Sequence, residues 1–155
     1  MKKIINFLFP LFLLGFLLIF TTSCKDDNTN YSTNDLQGVW SGNLEIAFHG
    51  GDNNGMDTTF NLQFTFGSDG TLTSMNPSPN YLTKTGNLSV SEDGIITGII
   101  TTTHLTDQFT ETTNMNWAGC SFVSKEKINV NMNWSWNNTN NNSSGYYIIT
   151  GSLTK

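Results

Sequence analysis

The chain has 155 residues, with seven Lys, no Arg and twelve Asp or Glu, for a formal net charge of −5. That balance excludes the basic face a nucleic-acid binder needs, and the length allows one domain. Two Ala in the whole chain, against abundant Asn and Thr, disfavour helix, because Ala is the strongest helix former and Asn and Thr are indifferent ones.

Met1-Lys2-Lys3 opens the chain with positive charge, Ile4 to Phe20 is a nearly unbroken apolar run, and Thr21-Thr22-Ser23 follows. A positive start, an apolar middle and a small-residue finish are the pattern of a secretory signal, which predicts that residues 1–23 are removed. Ser23-Cys24 at the end of the run resembles the lipobox of bacterial lipoproteins, in the looser form of the Bacteroidota. The resemblance implies that Cys24 becomes the first mature residue and carries acyl chains such as palmitate. Two or three chains exceed what stable anchoring needs, so the membrane is the expected partner at this end. Lys25-Asp26-Asp27 resembles the export tag that sends such lipoproteins to the exterior face of the outer membrane. Read instead as an ordinary polar linker, it leaves the anchor on the periplasmic face. Residues 24–35 then form the lipidated Cys and a flexible tether, and 36–155 form the domain. From Cys24 onward the formal charge is 5 − 12 = −7.

From Leu36 the hydrophobic period is two. Trp40, Leu44, Ile46 and Phe48 share one parity, as do Phe60, Leu62, Phe64 and Phe66, and Ile128, Val130, Met132, Trp134 and Trp136 alternate with Asn129, Asn131, Asn133 and Ser135. Each run buries one face and wets the other, as antiparallel sheets do. Asp69-Gly70 and Asp93-Gly94 are hairpin signals, and Asn76-Pro77-Ser78-Pro79-Asn80 must be a loop. Asn137 to Gly145 is a long polar hairpin loop. These signals predict eight strands near 37–48, 58–66, 71–75, 82–90, 95–104, 108–118, 126–136 and 146–154. The fold class is therefore all-β, an eight-stranded antiparallel up-and-down meander. Closing it into a barrel removes both raw edges, with a two-sheet β-sandwich as the alternative.

Leu36-Gln37-Gly38-Val39-Trp40 opens the first strand with Gly-x-Trp, and that pattern ahead of a meander resembles the lipocalin and calycin superfamily, in particular the short lipocalin-like domains of bacterial lipoproteins. The resemblance implies a barrel-closing role for Gly38 and Trp40, with the Trp plugging one end and a basic residue from the last strand packed across it. Lys155 is the residue available for that place.

Catalytic constellations are missing. His49 and His104 stand apart with no zinc-ligand spacing, Asp52, Asn54 and Asp57 lack the calcium-loop pattern, and no Ser sits in Gly-x-Ser-x-Gly. Glu45 and Glu111 are mid-strand carboxylates, and Glu111 shares the parity of Met115 and Trp117, so it points either into the barrel or to its mouth. Trp117, Trp134 and Trp136 are core, or else line an apolar pocket or a sugar platform. Asn116, Asn129, Asn131 and Asn133 form an outer polar stripe able to bond glycans. Cys120 reads as a buried small hydrophobe. The expected protein is a non-enzymatic, lipid-anchored envelope lipoprotein, with no cofactor or metal, that binds a small apolar or amphipathic ligand at Glu111, Trp117, Trp134 and Trp136. The alternative is a surface module contacting glycan or an envelope protein through loops 49–57, 76–80 and 137–145. Substituting Cys24→Ala is expected to leave an unprocessed precursor without acyl label in the producing cell; normal maturation of that variant would contradict the anchor.

Overall fold

The computed structural model describes residues 29–50, 55–77, 81–105, 110–138 and 143–155, without the side chains of Tyr81, Leu82 and Leu105. Cys24 and Lys25-Asp26-Asp27, and Asp52 and Asn54 of the 49–57 loop, lie outside them. A 3-10 turn at Thr33–Leu36 leads into β1 (Gly38–His49), β2 (Asp57–Phe66), β3 (Leu72–Asn76), β4 (Tyr81–Thr85), β5 (Ser89–Val90), β6 (Ile95–Thr97), β7 (Ile99–Leu105), β8 (Thr110–Asn116), β9 (Cys120–Ser124), β10 (Lys127–Asn138) and β11 (Ser143–Thr154).

One sheet contains all of them, in the order β3-β2-β1-β11-β10-β8-β7-β4, with β5, β6 and β9 continuing the lower parts of the same ribbons. It is an eight-stranded, lipocalin-like antiparallel barrel, nearly closed. The first strand lies beside the last, from Ser41–Thr154 to His49–Tyr146, so a single curved sheet replaces the sandwich alternative. The remaining seam falls between β3 and β4. It is fastened at its lower end by the Thr71–Asn87 bridge and by the Leu88 N–H donating to the Gly70 carbonyl at 3.0 Å. Higher up, the Lys84 ammonium donates across it to the Thr73 carbonyl at 2.6 Å.

Two expected strands are bent in two, and one strand is added. The 82–90 and 95–104 runs break at Gly86 and Gly98, where the ribbons cross so closely that a Cβ on Gly98 would lie 2.5 Å from the Asn87 carbonyl oxygen and one on Gly86 2.2 Å from that of Ile99. Only glycine permits this approach together with its positive φ. The 108–118 run ends at Asn116, turns through Ala118-Gly119 and resumes as β9, a strand that the sequence pattern does not reveal. The expected 137–145 loop is shorter, because β10 and β11 stay paired up to Asn138–Ser143.

The segment read as free tether is also partly built into the domain. The Asp35 carboxylate accepts hydrogen bonds from the Ser32 backbone N–H at 2.9 Å and the Ser32 hydroxyl at 3.0 Å, and pairs with Lys125 at 3.0 Å. Tyr31 stacks on Phe122 at 5.0 Å. This turn covers one end of the barrel, over the fully buried Leu36 and Trp40. The Trp40 indole N–H donates to the Leu36 carbonyl at 2.7 Å, and its ring meets Phe122 edge-on at 5.7 Å. The Lys155 ammonium sits 5.1 Å from the Trp40 ring centre and donates to the Asp35 carbonyl at 3.1 Å. Gly38 makes room for it: its φ is +123° and a Cβ there would touch the Lys155 side chain at 3.0 Å.

Above this plug the barrel is filled. Leu44, Phe64, Ile100, Met115, Trp117, Ile128 and Ile149 are all fully buried, and among the described residues the buried core runs from Leu36 to Leu153, so a chain beginning at Lys25 keeps that core. Because a side chain at positive φ is strained by about 1–2 kcal/mol, Gly38→Ala is expected to lower stability by about that amount. Lys155→Ala should cost about 0.5–1 kcal/mol through the lost cation–ring contact, and the double variant less than the sum, since both act on one contact. Urea unfolding of the three variants checks this; unchanged midpoints would contradict it.

Candidate functional site

The strands carry their inward residues past the filled region to the opposite end, where the side chains line the wall without filling the space between. There, an open-mouthed cavity of about 270 Å³ is lined by Ile46, Phe48, Phe60, Leu62, Met75, Pro77, His104, Glu111, Thr113, Trp134 and Tyr147. The volume is just below the usual range for ligand sites, and the lining is of the usual kind, mostly apolar with a few polar groups.

Each wall follows from the period of two. β1 places Phe48 one pleat above Ile46, and β2 places Phe60 above Leu62, with Phe60 at the lip and 43% exposed. The register sets Tyr147 between Phe48 on β1 and Trp134 on β10. Phe48 and Tyr147 meet edge-on at 4.9 Å. Trp134 packs edge-on against Phe64 at 6.3 Å, which ties the cavity wall to the filled core below, and its indole N–H points to the Met132 sulfur at 2.9 Å.

The polar groups gather on one side. Glu111 and His104 stand directly opposite each other on β8 and β7, and the Thr113 hydroxyl donates a long bond to Glu111 Oε1 at 3.5 Å. Burial, joined by the nearby Glu111 charge, pushes the Tyr147 phenol above its ordinary value. Thr102, the cross-strand partner of Thr113, is buried, and its hydroxyl has no hydrogen-bond partner among the described residues. Among the described residues, no three His, Cys, Asp or Glu side chains gather closely enough to hold a metal ion.

The four residues singled out for ligand contact therefore separate. Glu111 and Trp134 line the cavity. Trp117, on the same parity as Glu111, lies deeper: it is fully buried, edge-on to Phe64 at 5.3 Å and Phe66 at 5.5 Å. Trp136 is half-buried on the inward parity of β10, opposite Gly145 of β11, and lines a different hollow of about 560 Å³ with Asn114, Asn137 and Tyr146. Sequence reasoning missed Phe48, Phe60, Met75 and Tyr147 as site residues. The alternation marks Phe48 and Phe60 as inward, but nothing in a single strand gives a residue's height in the barrel.

On the outside, Asn116, Asn131 and Asn133 lie along a shallow groove of about 220 Å³ beside Ile148. His49 stacks on Tyr146 at 4.7 Å. Glu45 lies on the outer face, in a separate hollow with Asp57, Ile148 and Thr150.

No protein-family model matches the chain, and neither any curated protein nor any solved structure does. The class of the molecule accordingly rests on the barrel and its cavity.

Cys120 belongs to the packing. It is buried, pairs across to Ile96 on β6, and burial pushes its thiol up to about 11. The thiolate is the reactive form, so an aromatic disulfide reagent at pH 8 is expected to leave native Cys120 untouched and to label it at once in denaturant. Rapid labelling of the native protein would contradict this burial.

Proposed function

We propose that this protein is a lipid-anchored, non-enzymatic binding protein of the cell envelope that takes one small apolar or amphipathic molecule into the open end of its barrel. The cavity above the filled core carries the reading. Burial there removes apolar ligand surface from water at roughly 25 cal/mol per Å², and Glu111, His104, Thr113 and Tyr147 offer orientation to a polar end.

The arrangement of the ends supports a particular placement. Residues 31–36 join the barrel at the plugged end, and Phe48 at the mouth lies eight residues beyond Trp40 along β1, about 26 Å at the usual strand rise. A lipid on Cys24 would hold the plug toward the bilayer and the mouth away from it. The ligand then comes from the surrounding medium rather than from the anchoring leaflet. A second reading, glycan contact on the outer wall, is favoured by the uncharged groove of Asn116, Asn131 and Asn133 beside Ile148.

Mass spectrometry of residues 25–155, under native conditions and after denaturing organic extraction, tests the first reading. The expected result is a single small molecule bound at one per chain and released only on denaturation. A bare chain that also takes up no apolar probe would overturn it and turn attention to the outer groove.

A further inference from the structure

We infer that the molecule held in the barrel mouth is an organic cation, an amphiphile with a protonated or quaternary nitrogen whose head sits between Glu111 and the mouth aromatics. The inference rests on the barrel-binding reading above and specifies its ligand class.

Three features of the cavity converge on this chemistry. Glu111 is the one acidic side chain among the described lining residues, and no Lys is among them. A ligand carboxylate would therefore meet a like charge inside an apolar wall, where water screens it poorly. An ammonium would instead meet its counter-charge. Next, the walls supply aromatic rings: Phe48, Phe60, Trp134 and Tyr147 all line the same space. Aromatic faces attract cations through the ring quadrupole, most strongly where the cation is desolvated, and clusters of rings recognise substituted ammonium groups in this way. Finally, the protein's own field has the right sign. The formal charge of −7 from Cys24 onward, five Lys against twelve acids, draws cations toward the mouth and turns carboxylates away.

His104, opposite Glu111, is the lining side chain that can itself carry positive charge, so it is the alternative determinant. If the imidazole were the ligand's partner, anionic heads would be preferred and removing it would weaken the acid rather than the amine. The two cases give opposite mutational patterns.

Calorimetric titration of residues 25–155 with three ligands of one chain length, octylammonium, octanol and octanoate, tests the inference on wild type, Glu111→Gln and His104→Asn. Octylammonium is expected to bind at least ~10-fold more tightly than octanoate, with octanol between them. Glu111→Gln should weaken octylammonium by ~10-fold or more, to about the octanol value, while leaving octanol unchanged; unchanged octanol binding also shows that the variant keeps its fold. Octanoate binding as tightly as octylammonium would overturn the inference and leave the binding barrel standing. An amine-to-acid ratio that survives Glu111→Gln, or collapses only in His104→Asn, would overturn it in the same way. Failure of all three ligands to bind wild type would sink the barrel-binding reading and this inference with it.

Discussion

From Ser41–Thr154 to His49–Tyr146, β1 and β11 are joined along most of their length, and every other feature of the molecule depends on that contact. A meander whose first and last strands stay apart is an open sheet with two adhesive edges. Once they pair, the sheet has an inside, and the alternating residues of each strand are committed to a shared interior or to water. The cost falls at β3 and β4, whose facing edges are held by the Thr71–Asn87 bridge and the Lys84 side chain. The short Leu72–Asn76 and Tyr81–Thr85 strands beside the Pro-containing connection are where a ladder is hardest to complete, since Pro lacks the N–H that pairing needs.

Closure makes two unlike ends. At one, Trp40 is roofed by the Thr33–Leu36 turn and braced by Lys155, and Asp35 links that turn to the β9–β10 connection through Lys125. Both described termini of the chain meet there. At the other end, no comparable side chain among the described residues crosses the axis. Trp117 and Phe64 occupy the middle, and the larger residues above them, Phe48, Phe60 and Trp134, stand as walls rather than as filling. The cavity exists because the barrel is wider than the side chains at that height can span.

Much of this was legible in the sequence. The alternation of Ile128, Val130, Met132 and Trp134 gave the inward face of β10, and the Asp-Gly pairs at 69–70 and 93–94 gave two turns, because both signals are local. The strand breaks were harder: Gly86 and Gly98 are unremarkable in a strand pattern until the crossing backbone that excludes a Cβ is in view. β9 was hidden because Cys120-Ser121-Phe122 follows a turn with no Asp-Gly or Pro mark. Residues 31–35 look like tether in the sequence, since their holding contacts, Ser32 with Asp35 and Tyr31 with Phe122, combine a cap with a partner 91 residues away. For the site, parity placed Glu111, Trp117 and Trp134 inside but could not separate them. Which of them reach the cavity is fixed by the stagger of neighbouring strands, a property of the closed sheet rather than of any one segment.

The barrel is filled at the Trp40 end and hollow at the Phe48 end. Nuclear magnetic resonance of the Trp indole N–H and Met methyl groups, recorded while the protein is equilibrated with xenon, tests this most directly. An inert apolar atom enters apolar space without asking for polar partners, so its effects map the hollow region alone. Trp134 and Met75 are expected to shift with xenon pressure while Trp40, Trp117 and Met115 stay fixed. Shifts at both ends, or none at Trp134 and Met75, would contradict it.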